Sequence, residues 1–216
     1  MNAAPTLKKR GIRLQWRQVH YGSGLLLATF VGVHLTNHLI AGISPAAHVA
    51  FMTTARTVYR HPIIEAALLV AVILQIVTGL GLVRSVIRAS KHTWSRLHVG
   101  SGLYLALFLV IHVSSVMAGR LFWHLDTNLY FGAAGLNNYP QQLFFVPYYS
   151  LAILSFFTHV AAIHRIKMNR RLANMTPLCQ AQVILVIGIV LTFGVLYGTT
   201  NRFRGLAIPA KYLLLK

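Results

Sequence analysis

The chain has 216 residues, of which 56% are hydrophobic and 10% charged, and its 20 Lys and Arg against 2 Asp and Glu give a formal charge of +18. Soluble domains carry about 25% charged residues, so this composition excludes an ordinary soluble domain, and its apolar content excludes a disordered one. The single cysteine, Cys179, excludes a disulfide framework or a thiolate metal cluster within the chain.

The cations stand in short clusters between long apolar runs, the pattern of a polytopic membrane protein and not of a nucleic-acid-binding face. A spanning helix needs about 20 mainly apolar residues. Taken in chain order, the first stretch to qualify covers about 20–41, far longer than the apolar core of a cleaved signal peptide. The second covers 62–86, with Pro62 in the first turn, where its missing N–H costs nothing. The third covers 97–118, the fourth 143–166 and the fifth 180–197. Between the third and fourth, residues 120–142 carry Trp123, Tyr130, Phe131 and Tyr139 and read as an interfacial loop whose Gly132–Pro140 run forms turns. The expectation is an all-α bundle of five transmembrane helices forming one membrane domain over 1–216.

Thirteen Lys and Arg fall on one side of such a bundle: Lys8, Lys9, Arg10, Arg13 and Arg17, then Arg84, Arg88, Lys91 and Arg96, then Arg165, Lys167, Arg170 and Arg171. Seven fall on the other: Arg56, Arg60, Arg120, Arg202, Arg204, Lys211 and Lys216. The positive-inside rule then places the N-terminus inside, in the cytoplasm or mitochondrial matrix, and the C-terminus outside.

The first and third spans repeat each other at an offset of 78 residues, with nine identities over the fifteen positions from His20–His34 to His98–His112. Among the identities are both terminal histidines, the Gly-Ser-Gly triplet, and Phe30 with Phe108. The spans run in the same direction, so they present matched surfaces. Fourteen residues between histidines return to within about 40° of one face and rise about 21 Å. His20 and His98 therefore sit at the inner boundary, and His34 and His112 towards the outer half.

Histidine in hydrocarbon is costly and marks function by default, with interhelical hydrogen bonding as the bland alternative. Two matched imidazoles at one depth fit the axial ligands of a haem iron. For His20 and His98, snorkelling, propionate contact, a quinone hydrogen bond and a second haem all stay open. His159, in the inner half of the fourth span, is a further candidate ligand; His164 beside it reads as interfacial. His38, one turn after His34, could orient a propionate, while His48, His61, His92 and His124 carry no ligand signal. Glu65, in the first turn of the second span, reads either as a helix-end charge or as a group exchanging protons with a quinol.

Taken in order, Arg17-Gln-Val-His20 with Ser23-Gly24, His34-Leu35, Tyr59-Arg60-His61-Pro62 with Glu65, Gln75 with Gly79, His112-Val113 and His159 give the chain a family likeness. It resembles the five-span cytochrome b anchor of succinate dehydrogenases and fumarate reductases over nearly its whole length. The resemblance implies haem b held near the outside by His34 and His112, and a quinone as substrate. It implies a second, inner haem held from the second and fourth spans. His159 matches the fourth-span ligand, but the second-span position is Gln75, a poor ligand. That haem is then absent, five-coordinate on His159, or ligated from elsewhere.

The implied partners are a flavoprotein and an iron–sulfur subunit on the cytoplasmic face, in a bacterial cytoplasmic or mitochondrial inner membrane, and no nucleic acid. This chain itself has no site for dicarboxylate chemistry. Two rival readings are a free-standing carrier like cytochrome b561 and a haem-poor structural subunit of a larger respiratory complex.

Overall fold

The computed structural model describes residues 4–89 and 92–213, without the side chains of residues 4–13 and 89. Lys91, Lys216 and the side chains of Lys8, Lys9, Arg10 and Arg13 thus lie outside the described residues. The described residues fold into helices α1 (Ala4–Ile40), α2 (Pro45–Tyr59), α3 (Pro62–Ala89), α4 (Thr93–Leu121), α5 (Leu129–Ala133), α6 (Gln142–Lys167) and α7 (Pro177–Thr199), followed by a short 3₁₀ turn at Ala210–Tyr212.

Five helices are long and apolar enough to cross a membrane, over Leu14–Ile40, Pro62–Arg88, Thr93–Leu121, Gln142–Lys167 and Pro177–Thr199. These contain the five expected stretches with differences of a residue at the ends, and extend them by up to several residues. Polar side chains near the helix ends account for the extension: they lower hydropathy without breaking the backbone hydrogen-bond ladder. The large apolar side chains that point away from the bundle, such as Val190 and Phe193, are exposed, as suits a surface solvated by acyl chains.

The five long helices close a ring: α1 packs on α3 and α7, α3 on α4, α4 on α6, and α6 on α7. Small residues let the helices approach closely. At Gly198 of α7 an added Cβ would lie 2.7 Å from the Gly42 backbone nitrogen and 3.0 Å from the His38 carbonyl oxygen. No side chain larger than hydrogen fits there.

The middle of α1 and the end of α6 meet where Lys167 lies 5.4 Å over the Tyr21 ring. The other end carries a cap that the sequence did not announce. Helix α2 starts at Ser44, whose hydroxyl accepts from the Ala47 N–H at 3.0 Å, with Pro45 in the first turn. Within the 120–142 connection, α5 forms a single turn and a half that takes up Gly132 and Ala133, the first two residues of the expected run of turns. Asn137 then ties the cap together: its amide donates to the carbonyls of Ala133 (2.8 Å) and Thr199 (3.0 Å), and its oxygen accepts from Leu206 N–H (2.8 Å). Leu206 and Ile208 of the C-terminal segment pack over buried Ala41, Leu129 and Ala133.

Candidate functional site

The ring of helices encloses an elongated cavity of about 1060 Å³, lined from Arg17 at one end to Arg120 at the other. Every site residue anticipated from the sequence lines it: His20, His34, Glu65, Gln75, His98, His112 and His159. They form two tiers.

The first tier lies towards the capped end. His34 of α1 and His112 of α4 face each other with ring centres 6.1 Å apart and ring planes at 70°. Each ring stacks on the phenylalanine one turn earlier in its own helix, His34 on Phe30 at 5.6 Å and His112 on Phe108 at 5.0 Å. The 78-residue echo is therefore a repeat of side-chain arrangement and not of composition alone.

Metal–nitrogen bonds of about 2 Å on either side of one iron put two imidazole centres about 6 Å apart. The observed separation fits an axial pair. A bare ion is a poorer fit, because it takes three or four protein ligands, and among the described residues no group of three His, Cys, Asp or Glu is placed to hold one. A haem iron asks only the two axial positions of the protein.

Two more histidines join this tier. His38 Nε2 lies 3.3 Å from His34 Nε2, and the His38 ring is 5.4 Å from that of His48 on α2. His48 is 1% exposed, and among the described residues neither of its ring nitrogens has a hydrogen-bond partner; nor do the buried His38 Nδ1 and Asn37 Oδ1. Burial first, then the nearby His34 and Arg56, push His48 down to about 4, so it is neutral near pH 7. His48 carried no ligand signal in the sequence, because its place beside His38 depends on how α2 folds back.

At the mouth of this tier stand three arginines. Arg56 pairs with Asp126 at 2.7 Å, Arg60 donates to the Thr127 hydroxyl at 2.9 Å, and Arg120 pairs with Glu65. Burial, with Arg56 and Arg120 close by, pulls Arg60 below its ordinary value. Glu65 is thus neither a bare helix-end charge nor a free carboxylate: it is bound across the α3–α4 seam.

The second tier lies towards the Lys167 end. His20 Nδ1 is 3.0 Å from Thr78 Oγ1, and its Nε2 is 3.2 Å from Gln75 Nε2. Ser23 donates to Gln75 Oε1 at 2.8 Å, while its echo Ser101 lies 3.4 Å from His159 Nδ1. Gln75 on α3 thus stands to α1 as His159 on α6 stands to α4. Glycines make both contacts close: a Cβ at Gly24 would lie 3.3 Å from the Gln75 amide, and one at Gly102 would lie 3.1 Å from the His159 ring. The His159 ring lies 4.2 Å from that of His98, too close for an iron between them at bonds of about 2 Å. His164 is outside both tiers, with Nε2 2.8 Å from Gln180 Oε1.

No family model, no curated protein and no solved structure matches the chain.

Proposed function

We propose that this chain is a haem b-binding membrane subunit that passes electrons between a membrane quinone and a partner at its basic face. The observation that carries the reading is the His34–His112 pair, held 6.1 Å apart across a cavity between parallel helices. The haem, when bound, supplies one-electron redox chemistry in a medium that excludes water. The chain's own residues supply the rest. His34 and His112 would hold the iron, Phe30 and Phe108 fix the two imidazole planes, and Arg60, which donates to the Thr127 hydroxyl and not to a carboxylate, offers charge for an acidic substituent at the cavity mouth.

The proposed orientation puts the Lys167 end in the cytoplasm or matrix, because the basic clusters on α3, α4 and α6 and the α6–α7 connection gather there. A flavoprotein with an iron–sulfur subunit, as in succinate dehydrogenases and fumarate reductases, is the partner class that the sequence resemblance favours. The membrane would be the bacterial cytoplasmic or the mitochondrial inner membrane.

A reduced-minus-oxidised absorption spectrum with haem quantitation on purified protein tests this reading. A b-type spectrum with at least one low-spin haem per chain is expected; protein without haem sinks it. Co-purification then separates a subunit that brings a flavoprotein from a free-standing cytochrome.

A further inference from the structure

The second tier holds seven polar side chains inside five apolar helices, which the His34–His112 pair does not use. Such groups are expensive in hydrocarbon and ordinarily either satisfy one another or meet a ligand. Here the pairing is incomplete. Gln75 spends its oxygen on Ser23 and directs its nitrogen to His20. His159 places Nδ1 3.1 Å from the His98 carbonyl oxygen, which leaves Nε2 as its remaining ring nitrogen at the cavity wall. Hydrogen-bonding groups therefore stand on two sides of one apolar slot, on the α1–α3 wall and on the α4–α6 wall, related by the echo.

We propose that this half of the cavity takes the head group of a quinol, with the Gln75 amide donating to one of its oxygens and His159 Nε2, left as an acceptor because Nδ1 donates to the His98 carbonyl, accepting from the hydroxyl at the opposite wall. The assignment rests on the quinone-linked reading above and adds the place where the substrate binds. A flat apolar ring with a hydroxyl at each end matches an apolar slot with a donor on one wall and an acceptor on the other. Glutamine is poor as an iron ligand and good as a donor to oxygen. The 4.2 Å approach of His98 and His159 leaves no room for a metal between them and presents one hydrogen-bonding edge.

The slot also opens sideways. Leu25, Leu80 and Leu103 line the cavity at this tier while remaining 60%, 51% and 43% exposed on the bundle surface. A lipid-soluble tail can leave between them without crossing a polar boundary.

The test uses the purified full chain with ubiquinol-1 under anaerobic conditions as the titrant and an azido-ubiquinol as a photoreactive probe. Gln75→Leu and His159→Phe should each weaken ubiquinol-1 binding about tenfold while the low-spin haem spectrum stays unchanged. Photolabelling of the unsubstituted protein should fall on peptides carrying Gln75 or His159, a readout that does not depend on how well either variant folds. Labelling confined to the His34 and His48 peptides, or unchanged affinity in both variants, overturns the assignment. So does loss of a haem in His159→Phe, which would make the tier a second haem site. The haem spectrum of the unsubstituted protein judges the quinone-linked reading separately: haem present with no quinol at this tier rejects the assignment alone.

Discussion

His34 and His112, 78 residues apart in the chain, bring their rings to 6.1 Å across the bundle, each backed by a phenylalanine from the preceding turn. Parallel packing of two near-identical helix segments produces this facing pair. Shared residues on the facing sides of the two segments, such as His34 and His112, are presented twice to the space between them.

The two ligand candidates should behave alike. His34→Ala or His112→Ala should each remove one low-spin haem or convert it to a high-spin form, read by electron paramagnetic resonance and by haem per protein. His38 Nε2 stands 3.3 Å from His34 Nε2, and the double variant His34→Ala/His38→Ala closes rescue by that ring. Retention of a full low-spin complement in all three variants would remove the iron clamp from the account.

The ion pair across the α3–α4 seam sets a second expectation. Arg120 and Glu65 are about a quarter exposed, so solvent screens their attraction, and a double-mutant cycle with Glu65→Gln and Arg120→Gln should give a coupling of about 0.5–1 kcal/mol. If Glu65 also exchanges protons with quinol, Glu65→Gln lowers quinone-linked turnover at constant haem content. Unchanged turnover with the same coupling leaves Glu65 as a clamp between helices.

Much of this was legible beforehand, because the membrane imposes it. Hydrocarbon thickness fixes the span length, so five runs of sufficient hydropathy become α1, α3, α4, α6 and α7. The echo between His20–His34 and His98–His112 likewise announced matched surfaces. What stayed hidden depends on helix order around the ring. The Glu65–Arg120 pair joins residues 55 apart, and an all-round apolar helix has no polar face to say which neighbour it takes. Helix α2 was hidden for a different reason: its 15 residues are too few to span, and its only start signal was Ser44 followed by Pro45. With α2 missed, so was His48.

Topology gives a third expectation. A reporter fused after Lys167 should be cytoplasmic and one fused after Lys216 should be outside, since α7 crosses once between them. Both reporters on the same side would remove α7 as a span.

Close packing of α1 against α7 gives a fourth. Gly198→Ala pushes a methyl group against the Gly42 nitrogen and the His38 carbonyl, and backbone cannot rotate away as a side chain can. The expected cost is about 1–3 kcal/mol, seen as a lower melting temperature in detergent. Gly22→Ala, where an added Cβ meets nothing within 4 Å, is the control and should melt close to the unsubstituted protein. Equal melting of the two variants would mean that the helices are not in contact at this point.

The last expectation concerns His48 and the sign of its pH dependence. Its folded pKa is pushed down to about 4 against an ordinary value of 6.5. Above pH 6.5 the ring is neutral folded or unfolded and contributes no dependence. As pH falls from 6.5 towards 4, the unfolded chain binds a proton that the folded chain refuses, so stability falls by up to about 1.4 kcal/mol per pH unit. His48→Leu removes this term. It also removes two buried nitrogens that have no partner among the described residues, so little hydrogen bonding within the protein is lost near pH 7. The variant should therefore melt near the unsubstituted protein at pH 7.5 and above it at pH 4.5. The other cavity histidines are common to both proteins, which makes the difference between the two melting temperatures the quantity to follow. A difference that does not change between these pH values would show that His48 takes its proton in the folded state, and that the space beside His38 is not the dry one described.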